Sequence, residues 1–523
     1  MTTRRGFLQG VSTLALGSAI SLAAPMARAA MPRFLESEPF RRDTVKEMAR
    51  ALAAEEFVER APVPEPWLNL TYDEYRKIWF DVRNAVWAGE GLPFEMDLFH
   101  PGLYFPRAVE VDVVQAAQAH RLAFDYDLFD HTEDAPKLPV DESMGYSGIR
   151  LRHKFPGEKN RREFAVFQGA SYFRAIGAVQ AYGLSARGLA LRTGDAEGEE
   201  FPEFTRLWVV EPKEGDPNIV VHALMDSPSV TGAFRFSITP GLACEMRVEC
   251  TLFPRVDLDH AGIAPLTSMF LYDQTNRPRF DDFRPAIHDS DGLLVWNGAG
   301  EMLWRQLANP VALQVSSFVD ENPRGFGLMQ RARKLSDFAD LEAHYQDRPS
   351  LWIEPEGDWG PGVVRLVEIP SDQEIYDNIV AYWRPHEVME AGSEHHFAYR
   401  MMWTDETSEA PPPRRDDVAR VIDTHMGLNF NKDRWLAAID FAAHPALEAE
   451  EEYGALLGID VRINSGRAET SEGIIQRNPE TGGARVAFTF DPGENDAVEL
   501  RMQLFRDGAA VSEVWLYRWT RSA

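Results

Sequence analysis

Asp377 is the side chain whose setting most suggests chemistry. It lies in Glu374-Ile-Tyr-Asp-Asn-Ile-Val-Ala-Tyr-Trp-Arg-Pro385. Asn378 to Trp383 reads as a strand, with Ile379 and Trp383 on one face and Val380 and Tyr382 on the other. A predicted strand from Val363 to Ile369 and the turn Pro370-Ser371-Asp372 lead into it. A carboxylate at a strand mouth is held by a rigid scaffold and still faces a groove, which is where catalytic groups are commonly placed. The competing role is a turn cap, which aspartate often fills. A second stretch runs from Phe164 to Gly177 and on through Tyr182 to Ala190. It interleaves Gln168, Tyr172 and Arg174 with glycines and further aromatics. Arginine and glutamine between aromatic rings suit a polar ligand with apolar faces, such as a sugar. A loop-rich sheet edge would have the same composition.

The elements that must position these residues are strands. Two short helices come first. Thr44 and Glu47 have capping-box spacing ahead of Val45, Met48, Ala49, Leu52 and Ala53 at helical intervals. Thr71 and Glu74 repeat that spacing and predict a short helix through Trp79. From about Val109 the pattern turns to short apolar runs punctuated by Gly, Pro, Asn and Asp. Cys244 to Phe253 and Leu293 to Trp296 are two of them. The chain therefore reads as all-β, a large antiparallel β-sandwich rather than a βαβ fold. There is no Gly-x-Gly-x-x-Gly after a strand and no P-loop. The stretch 404–416, with three consecutive prolines, predicts an extended linker between a large domain, 30–403, and a smaller one, 417–523. The smaller has the size and strand spacing of an immunoglobulin-like sandwich, without the Cys–Trp–Cys signature.

Charge narrows the partners. The formal net charge is −28, which argues against nucleic acid and against anionic lipid bound by bulk charge. A neutral or cationic partner fits. Cys244 and Cys250 are the only cysteines. They lie six apart on one predicted strand, roughly 20 Å from each other, so no bridge between them is expected. Thr3-Arg-Arg-Gly-Phe-Leu-Gln9 has the pattern of a twin-arginine export signal. The weakly apolar run Val11 to Ala24 and Ala27-Arg28-Ala29 follow, which predicts a signal peptide over 1–29 and a mature chain from Ala30.

The chain resembles the periplasmic glucan biosynthesis proteins of the G and D types. The resemblance is carried by Phe167-Gln-Gly-Ala-Ser-Tyr-Phe-Arg174, Tyr182-Gly-Leu-Ser-Ala-Arg-Gly-Leu-Ala190 and Glu199-Glu-Phe-Pro-Glu-Phe204. Arg284-Pro-Ala-Ile-His-Asp-Ser-Asp-Gly-Leu293 and Ile375-Tyr-Asp-Asn-Ile-Val-Ala-Tyr-Trp383 complete it. The twin-arginine signal looks like that of the D type. The resemblance implies a galactose-mutarotase-like sandwich followed by an immunoglobulin-like one, in the periplasm, with β-1,2-glucan as substrate. It also implies inverting internal hydrolysis or, as in some relatives, transglycosylation that closes a ring.

Inversion needs one carboxylic acid to protonate the leaving oxygen and one carboxylate to activate the nucleophile. Asp377 matches the family's acid, and desolvation beside Tyr376 and Trp383 is expected to raise its pKa. Asp289 matches the base, and Asp291 is either a second candidate or the residue that serves the Asp-Ser-Asp-Gly turn. Tyr345 and Arg348 match substrate-binding positions, the ring to stack on a pyranose and the guanidinium to meet hydroxyls. Gln168, Tyr172 and Arg174 join them as expected substrate-binding residues. No metal and no organic cofactor is expected, and the resemblance allows a homodimer. The alternative is a non-catalytic glucan-binding scaffold working with the membrane glucan synthase.

Overall fold

A computed structural model describes residues 31–141, 143–405 and 415–521. The expected signal peptide and most of the expected linker lie outside these residues. The chain is all-β, as its patterning predicts, and its contacts divide it into two units. One comprises residues up to 265 together with 387–403. The other comprises 266–386 and the chain from 404 onward.

In the first unit, Ile219–Asp226, Val230–Thr239 and Cys244–Pro254 form successive antiparallel pairs. Cys244–Pro254 shows why. Cys244, Met246, Val248 and Cys250 alternate with half-exposed residues, so one pleated face is buried. Both cysteines are buried and free, as expected. Glu203–Val210 extends this sheet, antiparallel to Ile219–Asp226 and parallel to Glu110–Gln115. A second layer contains Phe94–Phe99, Gly148–His153, Arg162–Gln168 and Tyr172–Ala175, paired antiparallel in that order. The rings of Phe167 and Phe173 each lie 5.0 Å from Phe236 of the first sheet. The sandwich core sits there. The helix Thr44–Ala53 covers the other face of the first sheet, burying Val45 and Ala49 with Trp208 and Phe253. Asp43, not Thr44, takes its N-cap position, and no side chain caps it. The Thr71 capping box does form. Its helix is only Tyr72–Tyr75, because Ile78–Phe80 pairs as a strand with Phe129–His131.

In the second unit, Gly292–Trp296 lies between Met302–Gln306 and Gly325–Met329, and Gly325–Met329 also pairs with Ser350–Glu356. A further antiparallel set is Gln314–Asp320, Gly362–Glu368 and Ile379–Pro385. Residues 417–521 form two layers. Val421–Leu428, Trp435–Phe441, Ala484–Asp491 and Ile474–Arg477 make one. Asp460–Asn464, Ala497–Arg506 and Val514–Thr520 belong to the other. Trp515 joins them, meeting the Phe488 ring and donating its indole N–H to Thr424 Oγ1 at 3.0 Å.

Strands beyond residue 416, where the smaller domain is expected, also pair with strands of 266–386. Val514–Thr520 runs parallel to Met302–Gln306, with Leu303 opposite Val514 and Arg305 opposite Leu516. A buried ion pair reinforces the junction: Arg331 donates to both carboxylate oxygens of Glu513, at 2.8 and 2.9 Å. Glu513 also accepts from the Val421 N–H. Backbone pairing and a buried charge pair thus tie 266–386 to the C-terminal strands.

Candidate functional site

Asp377 is half-buried, two residues before the strand Ile379–Pro385. Asn378 fixes it there. The Asn378 side chain accepts from the Phe270 N–H at 2.8 Å and donates to the carbonyls of Phe270 and Ile369, at 2.9 and 3.1 Å. Its backbone N–H donates to Ser268 O, and its carbonyl accepts from Ile369 N–H. The carboxylate thus projects from a backbone pinned on three sides, with an exposed neighbour, Tyr376.

Asp289 follows the short strand Ile287–His288 and is fully buried. Its Oδ1 accepts from the Arg348 guanidinium, which is itself only 2 % exposed. Arg348 also donates to Ala343 O at 2.9 Å. Burial presses the Arg348 pKa down, and the carboxylates of Glu374, Asp340 and Asp377 oppose that shift. The guanidinium therefore links the two expected catalytic carboxylates electrostatically. His288 beside it is buried against Phe270 and Phe338 and bonded to Gln330. Desolvation lowers its pKa to about 4, so it is a neutral wall of the site.

Asp291 has a different task. Its Oδ2 accepts from the N–H groups of Arg331 and Ala332, at 2.9 and 3.0 Å. Between the aspartates, the Ser290 hydroxyl meets that of Ser268 at 2.8 Å. Gly292 ends the turn under the Trp304 indole, where a Cβ would lie 2.2 Å from the ring. The turn is thus closely packed, and Asp291 anchors backbone.

Tyr345 and Arg348 are both buried. Tyr345 is 1 % exposed, with the Arg348 guanidinium 4.1 Å over its ring and Phe338 beside it. No ring face is open to a pyranose, and Arg348 is closed off with it. Instead the Tyr345 hydroxyl donates to Glu374 Oε2 at 3.0 Å. Arg284 donates to the same oxygen at 2.9 Å and to Asp340 at 2.7 Å. Hydrogen bonds from Arg284 hold Asp282 down at about 2. Glu374, Arg284 and Asp340 were not among the expected site residues. Arg284 nevertheless heads one of the stretches that carry the resemblance, and Glu374 directly precedes another.

Gln168, Tyr172 and Arg174 belong to the first unit. Gln168 is buried and donates to Ser147 Oγ at 2.9 Å, Tyr172 lies under Arg187, and Arg174 is half-buried. Among the described residues, Asp423, His425 and Asp440 bring potential metal-ligand atoms within 4.8 Å of one another. Arg485 already donates to both oxygens of Asp440, and the hydrogen bond to Asp423 raises the His425 pKa, so these side chains belong to one polar network.

Layered sheets carrying a pinned, half-open carboxylate beside buried carboxylate–guanidinium contacts define an all-β protein with an acidic site at its strand ends. The family described as "Periplasmic glucan biosynthesis protein, MdoG" matches residues 40–519. The chain belongs to that family and is a periplasmic protein with a role in glucan biosynthesis. It is 46% identical over 489 residues to the "Glucans biosynthesis protein G" of Vibrio cholerae serotype O1, covering 93% of this chain and 88% of that one. It is also 46% identical over 500 residues to "Glucans biosynthesis protein G 1" of Shewanella oneidensis, covering 95% and 90%. The leaning toward the D type rests on the N-terminal arginines, outside the described residues.

Proposed function

We propose that the chain acts on a β-1,2-glucan backbone as an inverting endo-glycoside hydrolase or a transglycosylase. The observation that supports this most is Asp377: a half-open carboxylate on a fixed backbone, within electrostatic range of buried Arg348. Asp377 takes the acid role, because the leaving oxygen can reach it. Asp289 takes the base role. Since Asp289 is sealed against Arg348, the proton reaches it through a relay of water or sugar hydroxyls rather than by direct contact. Attack by water gives hydrolysis and attack by a sugar hydroxyl gives transfer.

A second reading is a glucan-binding protein without turnover, working with the membrane glucan synthase. The complete burial of Asp289, Tyr345 and Arg348 favours it, because such contacts also serve as structure. Incubation with linear β-1,2-glucan separates the two. Turnover gives shorter or cyclic chains. Asp377→Asn then cuts the rate by about 10²–10⁴-fold, with glucan binding and melting temperature retained. Unchanged glucan at high protein concentration would leave the binding reading.

A further inference from the structure

The motif Glu199-Glu-Phe-Pro-Glu-Phe204 plays no part in the site above, yet it forms one wall of a cavity in the first unit. The cavity has a volume of about 310 Å³, at the lower end of small-molecule sites, which run from about 300 to 1,000 Å³. Glu200, Phe201 and Glu203 line it from one side, and Phe57, Arg60 and Arg107 from the other. It opens where Glu203–Val210 begins and Ile219–Asp226 ends, at the register pair Glu203 and Asp226.

The lining is set before any ligand arrives. Arg60 donates to one oxygen of Glu203 at 2.7 Å and Arg107 to the other at 3.1 Å. Glu200 accepts from the Ser229 N–H and hydroxyl, at 3.1 and 2.6 Å. Asp226 accepts from Arg255 at 2.6 Å. Pro202 restrains Phe201 to extended backbone, and Phe201 stays 47% exposed with the Arg187 guanidinium 5.8 Å from its ring centre.

These pairings select the ligand. Four carboxylates, Glu59, Glu200, Glu203 and Asp226, face two guanidiniums in the lining. An anion meets an excess of negative charge and finds the guanidiniums already committed. A cation gains little, since Arg60, Arg107 and Arg255 pair with three of the carboxylates. A neutral ligand rich in hydroxyls can share these donors and acceptors without breaking a charge pair, and Phe57 and Phe201 give its apolar faces something to lie on.

We infer that this cavity is a second carbohydrate subsite, which holds one or two pyranose units of the glucan without acting on them. The choice of glucan rests on the reading of the chain as glucan-acting; the choice of a neutral sugar rests on the lining. In function, such a subsite would hold part of a chain without cleaving it.

The test is a calorimetric titration of the purified protein with the β-1,2-linked glucose disaccharide, run on wild type, Phe201→Ala, Phe201→Tyr and Asp377→Asn. Phe201→Ala should weaken binding about tenfold with an unchanged melt. Phe201→Tyr should restore it, and Asp377→Asn should leave it as in wild type. Equal affinity in wild type and Phe201→Ala, or no binding by wild type at millimolar disaccharide, would overturn the subsite. So would displacement of the sugar by inorganic phosphate. The two proposals fail separately. Glucan turnover with Phe201-independent binding removes only the subsite. Phe201-dependent binding without turnover removes only the catalytic reading.

Discussion

Asn378, more than Asp377, is the residue around which the site is built. Its amide satisfies backbone groups of both Phe270 and Ile369. Asn378→Ala leaves those groups buried without that partner, at a cost of about 1–3 kcal/mol, and frees the Asp377 backbone. Turnover on glucan should fall together with the melting temperature; an unchanged melt would mean the clamp contributes nothing. Asp377 was legible in the sequence because a strand with two apolar faces begins right after it. The partners of Tyr345 and Arg348 were not legible. A tyrosine near an arginine suits a sugar or a buried stack equally well, and only the fold puts Glu374 within reach of the Tyr345 hydroxyl. Arg284 was quoted with its stretch, but nothing local says that its guanidinium spans Asp282, Asp340 and Glu374.

The elements themselves were readable wherever alternation is strong. Predicted strands Val363 to Ile369 and Asn378 to Trp383 appear as Gly362–Glu368 and Ile379–Pro385. Reading failed where a partner lies far off in the chain. The parallel pairing of Val514–Thr520 with Met302–Gln306 has no local signal, since each strand has the pattern of an ordinary antiparallel one. The charge pair at this junction gives a sharp expectation. Arg331 and Glu513 side chains are nearly inaccessible to water. Glu513→Ala strands a buried guanidinium and should cost about 3–5 kcal/mol, measured by urea unfolding. A loss under 1 kcal/mol would show that Arg331 finds another partner.

Across the whole molecule acidic residues outnumber basic ones, for a net charge of −28, and the fold adds buried bases. His100, His222 and His288 are all desolvated, which lowers each pKa from 6.5 to about 4. The unfolded chain therefore binds more protons than the folded one between about pH 6.5 and 4, and stability falls as the pH drops through that window. Asp273, its pKa raised to about 6 by burial, opposes this, as do Glu368, raised by burial, and His425, raised by its hydrogen bond to Asp423. The melting temperature should decline from pH 7 to pH 4, and His222→Phe, which cannot charge, should shallow the slope. A flat profile would contradict the burial of these rings. The parallel pairing of Val514–Thr520 carries a separate consequence, in the order of synthesis. A ribosome completes Met302–Gln306 about two hundred residues before it makes Val514–Thr520, so one edge of that strand stays bare over that interval. A bare edge is a template for wrong pairing. The second unit is thus a late-closing one: the nascent chain must be kept from its neighbours until Val514–Thr520 emerges.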